Sequence, residues 1–206
     1  MSHYFIEDTT LKSKERDIEF DLESMHISLK SDSGVFSNKH IDVGTLIFIN
    51  TLIKLSLKGK VLDLGCGYGP VGISLSLYYK DNIDLTYVDI NPKCIELTSR
   101  NLKYYDLDGK CLVSDGYLNI SDKYDYVVFN PPISVGKTKI YSLYQESYYH
   151  LNENGIMYLV IRKDKGGLSH LKYLSSLFAQ SCVIYKEKGY LIIECKKQGV
   201  VENEII

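Results

Sequence analysis

The segment Val61-Leu62-Asp63-Leu64-Gly65-Cys66-Gly67-Tyr68-Gly69-Pro70 constrains this chain more than any other. A short apolar run carries one acid, and glycines follow at 65, 67 and 69. Pro70 suits the first turn of a helix, which continues through Ile73 and Leu77. A strand, a glycine turn and a helix together open a parallel α/β sheet. Without Cβ atoms the backbone can turn tightly and let a ligand approach. The third glycine stands two residues after the second, so this is not the dinucleotide pattern G-x-G-x-x-G, and pyrophosphate is disfavoured. Asp63 would repel a phosphate but could accept from a ligand's ammonium group. A bare glycine-rich turn is the alternative.

The same unit repeats down the chain. Leu85–Val88 reads as a second strand ending at Asp89, and Pro92 starts a helix to about Tyr105. Cys111–Val113 and Tyr126–Phe129 read as strands three and four. Ile140–Leu151 is helical, Gly155–Ile161 is a fifth strand, and Leu168–Phe178 is helical. Val183–Tyr185 and Tyr190–Glu194 flank Lys188-Gly189 as a hairpin, so one late strand runs antiparallel. Before Lys60, residues 17–21 and 25–30 alternate as a hairpin, a polar loop follows, and Ile41–Leu55 has helical spacing. These elements predict an α/β fold with a mostly parallel sheet covered on both faces. Residues 1–40 form an extension and residues 41–206 the main domain.

Acids recur where the strands end. Asp89 can accept from both hydroxyls of a ribose, or cap the next helix if Asn91 does not. Ser114 and Asp115 follow the third strand, where an acid can take the exocyclic amine of an adenine; a turn aspartate before Gly116 is the alternative. Asp63, Asp89 and Asp115 together describe an adenosine carrying positive charge. The fourth strand ends in Asn130-Pro131-Pro132-Ile133. The prolines fix the backbone and remove two donors. The Asn130 side-chain oxygen and the Pro131 carbonyl can then accept from one –NH₂ group. That localises the amine lone pair and aims it at an electrophilic methyl, with orientation supplying most of the acceleration.

Other features narrow the classes. The net charge of -2 gives no support for a basic nucleic-acid binder. Residues 133–172 nonetheless carry six Lys/Arg against Glu146, Glu153 and Asp164. An anionic partner should meet that stretch, unless it is only a solvated surface. The five cysteines are scattered, which argues against a zinc site or a disulfide framework and fits a cytoplasmic protein. No apolar run spans a membrane, and Met1 to Thr10 does not read as a signal peptide. The histidines show no metal spacing and read as surface or capping residues. In Tyr78-Tyr79 and Tyr104-Tyr105 one ring of each pair should be core and the other exposed.

The glycine loop, the ribose acid, the adenine acid and N-P-P, in this order across residues 60–133, resemble class I methyltransferases. The resemblance implies S-adenosylmethionine as cofactor and a Rossmann-like, seven-stranded, mostly parallel sheet with its last strand antiparallel. It implies cofactor contacts from Asp63, Gly65, Cys66, Gly67, Gly69, Asp89, Ile90, Ser114, Asp115 and Asn130. Ser33-Gly34-Val35-Phe36-Ser37 with Ile41-Asp42-Val43-Gly44-Thr45 is similar to the segment before the core of small-subunit ribosomal RNA guanine-N2 methyltransferases, the RsmC-like group. There Phe36 and Gly44-Thr45 border the cleft, and the partner is ribosomal RNA or the small ribosomal subunit. Ile133 departs from the commoner aromatic that stacks on the target base; Phe36 or Tyr141 could stack instead. Lys137 and Arg162-Lys163 could hold phosphates. Three alternatives stay open: a glutamine-N5 protein methyltransferase, an adenine-N6 nucleic-acid methyltransferase, and a non-catalytic adenosine-binding module.

Overall fold

A computed structural model describes residues 14–33, 35 and 40–199. The alternating run of the extension forms β1 (Arg16–Leu22) and β2 (Met25–Ser31), an antiparallel hairpin. Its inward residues Ile18, Phe20, Leu22, Ile27 and Leu29 are buried, each contributing roughly 1.5–3 kcal/mol. Two polar staples, both from the helix Pro92–Tyr104 and its C-cap, fix it to the rest of the fold. Asn101 accepts from the Lys30 amide at 2.8 Å and donates to the Lys30 carbonyl at 3.0 Å, as a neighbouring strand would. The Tyr105 hydroxyl accepts from the Ser28 amide at 2.7 Å.

The main sheet has seven strands. They are β3 (Gly59–Leu64), β4 (Ile83–Asp89), β5 (Lys110–Val113), β6 (Tyr124–Phe129), β7 (Leu151–Arg162), β8 (Gln180–Glu187) and β9 (Tyr190–Lys196). Their order is β5-β4-β3-β6-β7-β9-β8. The first five pair in parallel, and β9 runs antiparallel to both neighbours. This is the expected Rossmann-like, seven-stranded sheet with its last strand antiparallel.

Helices α1 (Val43–Leu52), α2 (Pro70–Tyr79) and α3 (Pro92–Tyr104) share one core with the hairpin. Helices α4 (Lys137–His150) and α5 (Gly167–Leu177) cover the other face. Strand β3 alternates between the two layers: Val61 joins the first core, Leu62 and Leu64 the second. Helix α1 starts later than its hydrophobic spacing suggests, because the Asp42 side chain caps it by accepting from the Thr45 amide, and it ends at Leu52 with Ile53 as C-cap. Strand β7 starts four residues earlier than expected, through a register shift opposite Tyr124 and Tyr126.

Two readings of single residues need correction. His170 is not a surface residue: it is 3% exposed, with its ring nitrogen 3.0 Å from the Tyr144 hydroxyl. Burial lowers its pKa. Tyr141 is not free to stack on a base, because its ring lies on Tyr173 at 3.9 Å and its hydroxyl donates to the Ser169 carbonyl. Tyr79 is buried beside the exposed Tyr78, whereas the exposed Tyr104 stands beside a Tyr105 that is only partly buried. Among the described residues, no helix is long and apolar enough to cross a membrane.

Candidate active site

A cleft of about 600 Å³ opens over the carboxyl ends of β3 to β7. The strand order reverses between β3 and β6, and ligands of open α/β sheets lie at such a switch point. Most of the sequence-predicted site residues meet there. Asp63, Gly65, Cys66, Gly67, Asp89, Ile90, Ser114, Asp115, Asn130, Pro131, Pro132, Ile133 and Arg162 all line it. Phe36 lies outside the described residues.

Gly69 and Lys137 stand outside the wall. Gly69 caps α2 at φ 91°, and a Cβ there would lie 2.7 Å from Ile73. It serves the packing of the loop on its helix. Lys137 holds its ammonium 5.6 Å above the Tyr141 ring.

The glycine loop is fixed by side chains from two elements, β4 and α3. The Gly67 amide donates to the Asp89 carboxylate at 2.9 Å, and the Thr98 hydroxyl donates to the Gly67 carbonyl at 2.9 Å. Asn101 donates to the Tyr68 carbonyl at 2.9 Å. Asp89 also accepts from the Asn91 amide at 2.9 Å, while Asn91 itself caps α3 by accepting from Lys93. The capping alternative for Asp89 therefore falls to Asn91. Asp63 is buried and accepts from the Gly72 amide at 2.8 Å. Burial, helped by the charge of Asp89, pushes its pKa up to about 7 against that hydrogen bond. Burial also raises Asp89, with its backbone donors opposing.

The adenine-side acid is held more loosely. Asp115 is exposed and pairs with Lys139 at 2.8 Å. Ser114 is buried, and its hydroxyl accepts from the Asn119 amide at 3.0 Å to hold the turn.

On the opposite side, Asn130 donates through Nδ2 to the Thr45 hydroxyl at 3.0 Å. Its Oδ1 has no hydrogen-bond partner among the described residues. Ile133 is 39% exposed at the rim. Arg162 is bound by Asp164 at 2.8 Å and lies 5.5 Å over the Tyr190 ring. Lys163 follows outside the cleft, its amide donating to the Gly189 carbonyl. Among the described residues no group of three or more His, Cys, Asp or Glu could hold a metal ion.

Among the wall residues that escaped the direct reading of the sequence are Asp42, Tyr68, Lys165 and Tyr190. Tyr68 sits between two motif glycines, yet its hydroxyl is buried with no partner. The N-cap spacing from Asp42 to Thr45 was a usable signal. Tyr190 had none, since it comes from a hairpin 60 residues after Asn130.

Comparison with known proteins gives a consistent answer. The model of the methyltransferase small domain matches residues 26–194. The Bacillus subtilis protein YbxB, itself uncharacterized, is 34% identical over 95% of this chain and 98% of its own length. Ribosomal RNA small subunit methyltransferase C of Actinobacillus pleuropneumoniae is also 34% identical, over 79% of this chain and 50% of its own. The chain thus spans about half the length of that relative. The structure of the 16S rRNA N2 methyltransferase RsmC of T. thermophilus, in complex with AdoMet and guanosine, superposes with a TM-score of 0.80. That match covers 91% of this chain and 52% of RsmC at 22% identity.

Proposed function

The chain belongs to the methyltransferase small domain family, and we propose that it transfers a methyl group from S-adenosylmethionine to the exocyclic N2 amine of a guanine in small-subunit ribosomal RNA. The observation that carries this reading is Asn130: its Oδ1 stands unpaired at the cleft wall beside Pro131, while its Nδ2 is already spent on Thr45. The small subunit methyltransferase C relatives favour guanine in ribosomal RNA as the acceptor.

The glycine-loop side fits a cationic nucleoside. A Cβ on Gly67 would meet nothing within 4 Å, so the loop leaves open space. Tyr68 lines the same cleft, while its hydroxyl is buried away from the open space. The buried carboxylate of Asp63 and the half-buried one of Asp89 suit a positive ligand rather than a phosphate. When bound, S-adenosylmethionine supplies a methyl group already activated on a sulfonium. In this reading Asp63 faces its ammonium and Asp89 its ribose hydroxyls. Ser114 and Asp115 face its adenine, and Gly65, Cys66, Gly67 and Ile90 form the floor. Residues 41–206 make the catalytic domain, and the extension 1–40 reaches the cleft through Val35.

On the acceptor side, Asn130 Oδ1 and the Pro131 carbonyl hold the two hydrogens of the base amine. This turns the nitrogen lone pair out of conjugation and fixes its direction. Pro132 keeps the turn rigid, and Ile133 offers apolar contact to the base. The Arg162 guanidinium plane is placed to meet the base or a phosphate. No general base is required before transfer, because a nitrogen that has gained a carbon sheds its proton readily.

The test offers labelled S-adenosylmethionine with small ribosomal subunits lacking guanine-N2 methylation, matched large subunits, naked ribosomal RNA and a release factor. Label recovered as N2-methylguanosine from small-subunit RNA is the expected result. Label in protein would move the acceptor to a glutamine amide. Label in no RNA would overturn the reading.

A further inference from the structure

We propose that Thr45 is a positioning residue, which sets the orientation of the Asn130 amide through a one-way chain of hydrogen bonds ending at Asp42. The inference rests on the role given above to Asn130. Asp42 Oδ2 takes the Thr45 amide at 3.0 Å and the Thr45 hydroxyl at 3.4 Å. A carboxylate only accepts, so the hydroxyl proton points to Asp42. Thr45 Oγ1 then presents only lone pairs toward Asn130, 3.0 Å away. The group facing it must be a donor, which is Nδ2. The amide oxygen is therefore turned into the cleft.

A flipped amide would set Oδ1 against those lone pairs and turn its NH₂ toward an incoming NH₂, donor against donor. Thr45 is 4% exposed, so water does not readily stand in for its hydroxyl. The cap and the relay are separable. The cap uses the backbone amide of Thr45, whereas the relay uses its side chain. Thr45→Val removes the relay, keeps the shape of the side chain and leaves the cap bond in place.

The experiment compares wild type, Thr45→Val and Thr45→Ser. One arm reads the side-chain amide protons of Asn130 by NMR on ¹⁵N-labelled protein, assigned by their loss in Asn130→Asp. The other arm measures kcat, KM and S-adenosylmethionine affinity with small-subunit RNA. Thr45→Val is expected to speed solvent exchange of the Asn130 amide by about 10-fold or more, as its hydrogen bond is lost. It should lower kcat by about 10- to 100-fold with KM and cofactor affinity nearly unchanged. Thr45→Ser should restore both. If valine disturbs α1, Thr45→Ala makes the same deletion without the branched carbon. Unchanged amide exchange in the valine and alanine variants, or serine behaving like valine, would overturn the proposal. The NMR arm needs no acceptor. A wild type that methylates no RNA would therefore defeat the functional reading while the relay is still judged.

Discussion

The glycine-loop half of the cleft and its N-P-P half lie on the same sheet edge but spend their polar groups differently. In the first, Asp63 takes the Gly72 amide and Asp89 takes the amides of Gly67 and Asn91. Thr98 and Asn101 hold the loop carbonyls from behind. Most of these groups are buried, so the cradle is formed before any ligand arrives. In the second, Asn130 keeps its oxygen unpaired and Ile133 is exposed. Arg162 pairs with Asp164 at the surface and lies over the Tyr190 ring. One half is built to hold a small ligand in a set shape. The other leaves acceptors open for a substrate that comes and goes.

Variants can break this contrast. The largest effect belongs to Asn130→Ala, which removes one of the two acceptors for the amine. Single-turnover methyl transfer should fall by about 100- to 1000-fold, the scale for deleting one preorganised polar group. A loss below fivefold would remove Asn130 from the chemistry. Next comes Asn101→Ala, on the other side of the divide. Asn101 is 1% exposed and serves two Lys30 backbone groups and the Tyr68 carbonyl. Leaving buried backbone unpaired should cost about 2–3 kcal/mol in denaturant unfolding and loosen the loop. A cost under about 0.5 kcal/mol, the scale of a neutral surface change, would mean the hairpin does not brace the cradle.

pH sharpens the comparison on a smaller scale. Burial keeps Asp63 protonated up to about pH 7. A cationic ligand pairs with the carboxylate, so its affinity should rise between pH 6 and 8, by about 10-fold, and level off above. Asp63→Asn should flatten that profile, and a flat wild-type profile would contradict the ammonium role. The smallest effect is that of Tyr68→Phe. Removing a buried, unpaired hydroxyl should leave the folded protein at least as stable. S-adenosylmethionine affinity should stay within about twofold of wild type, because the hydroxyl has no surface open to the cleft. A loss of about 10-fold or more would show that the hydroxyl meets the ligand.

The same contrast explains what could be read from the sequence. The cradle is local: Asp63, the glycines, Asp89 and Asp115 each end a strand, and strand ends follow hydrophobic period and turn chemistry. Its inner support was less legible, since Gly72 looks like an ordinary helical residue. Only the fold reveals that a Cβ there would lie 2.3 Å from the Tyr87 ring. The acceptor half joins α1, β6 and β9, and no local pattern announces that Tyr190 will pack on Gly44. Lys137 stands out by charge alone, which gives no direction, and its ammonium lies over the Tyr141 ring outside the cleft wall. His170 looked peripheral because nothing in its neighbours signals the Tyr144 hydroxyl that pairs with it.

The most direct test of a divided cleft is the calorimetric affinity for S-adenosylmethionine in wild type, Asp89→Ala and Asn130→Ala. Asp89→Ala should weaken binding by about 10- to 100-fold, because it removes both the ribose acceptor and the anchor of Gly67. Asn130→Ala should bind within about twofold of wild type, since its unpaired oxygen serves the acceptor. Equal loss in both variants would contradict the account, because the two halves would then be one site for one ligand.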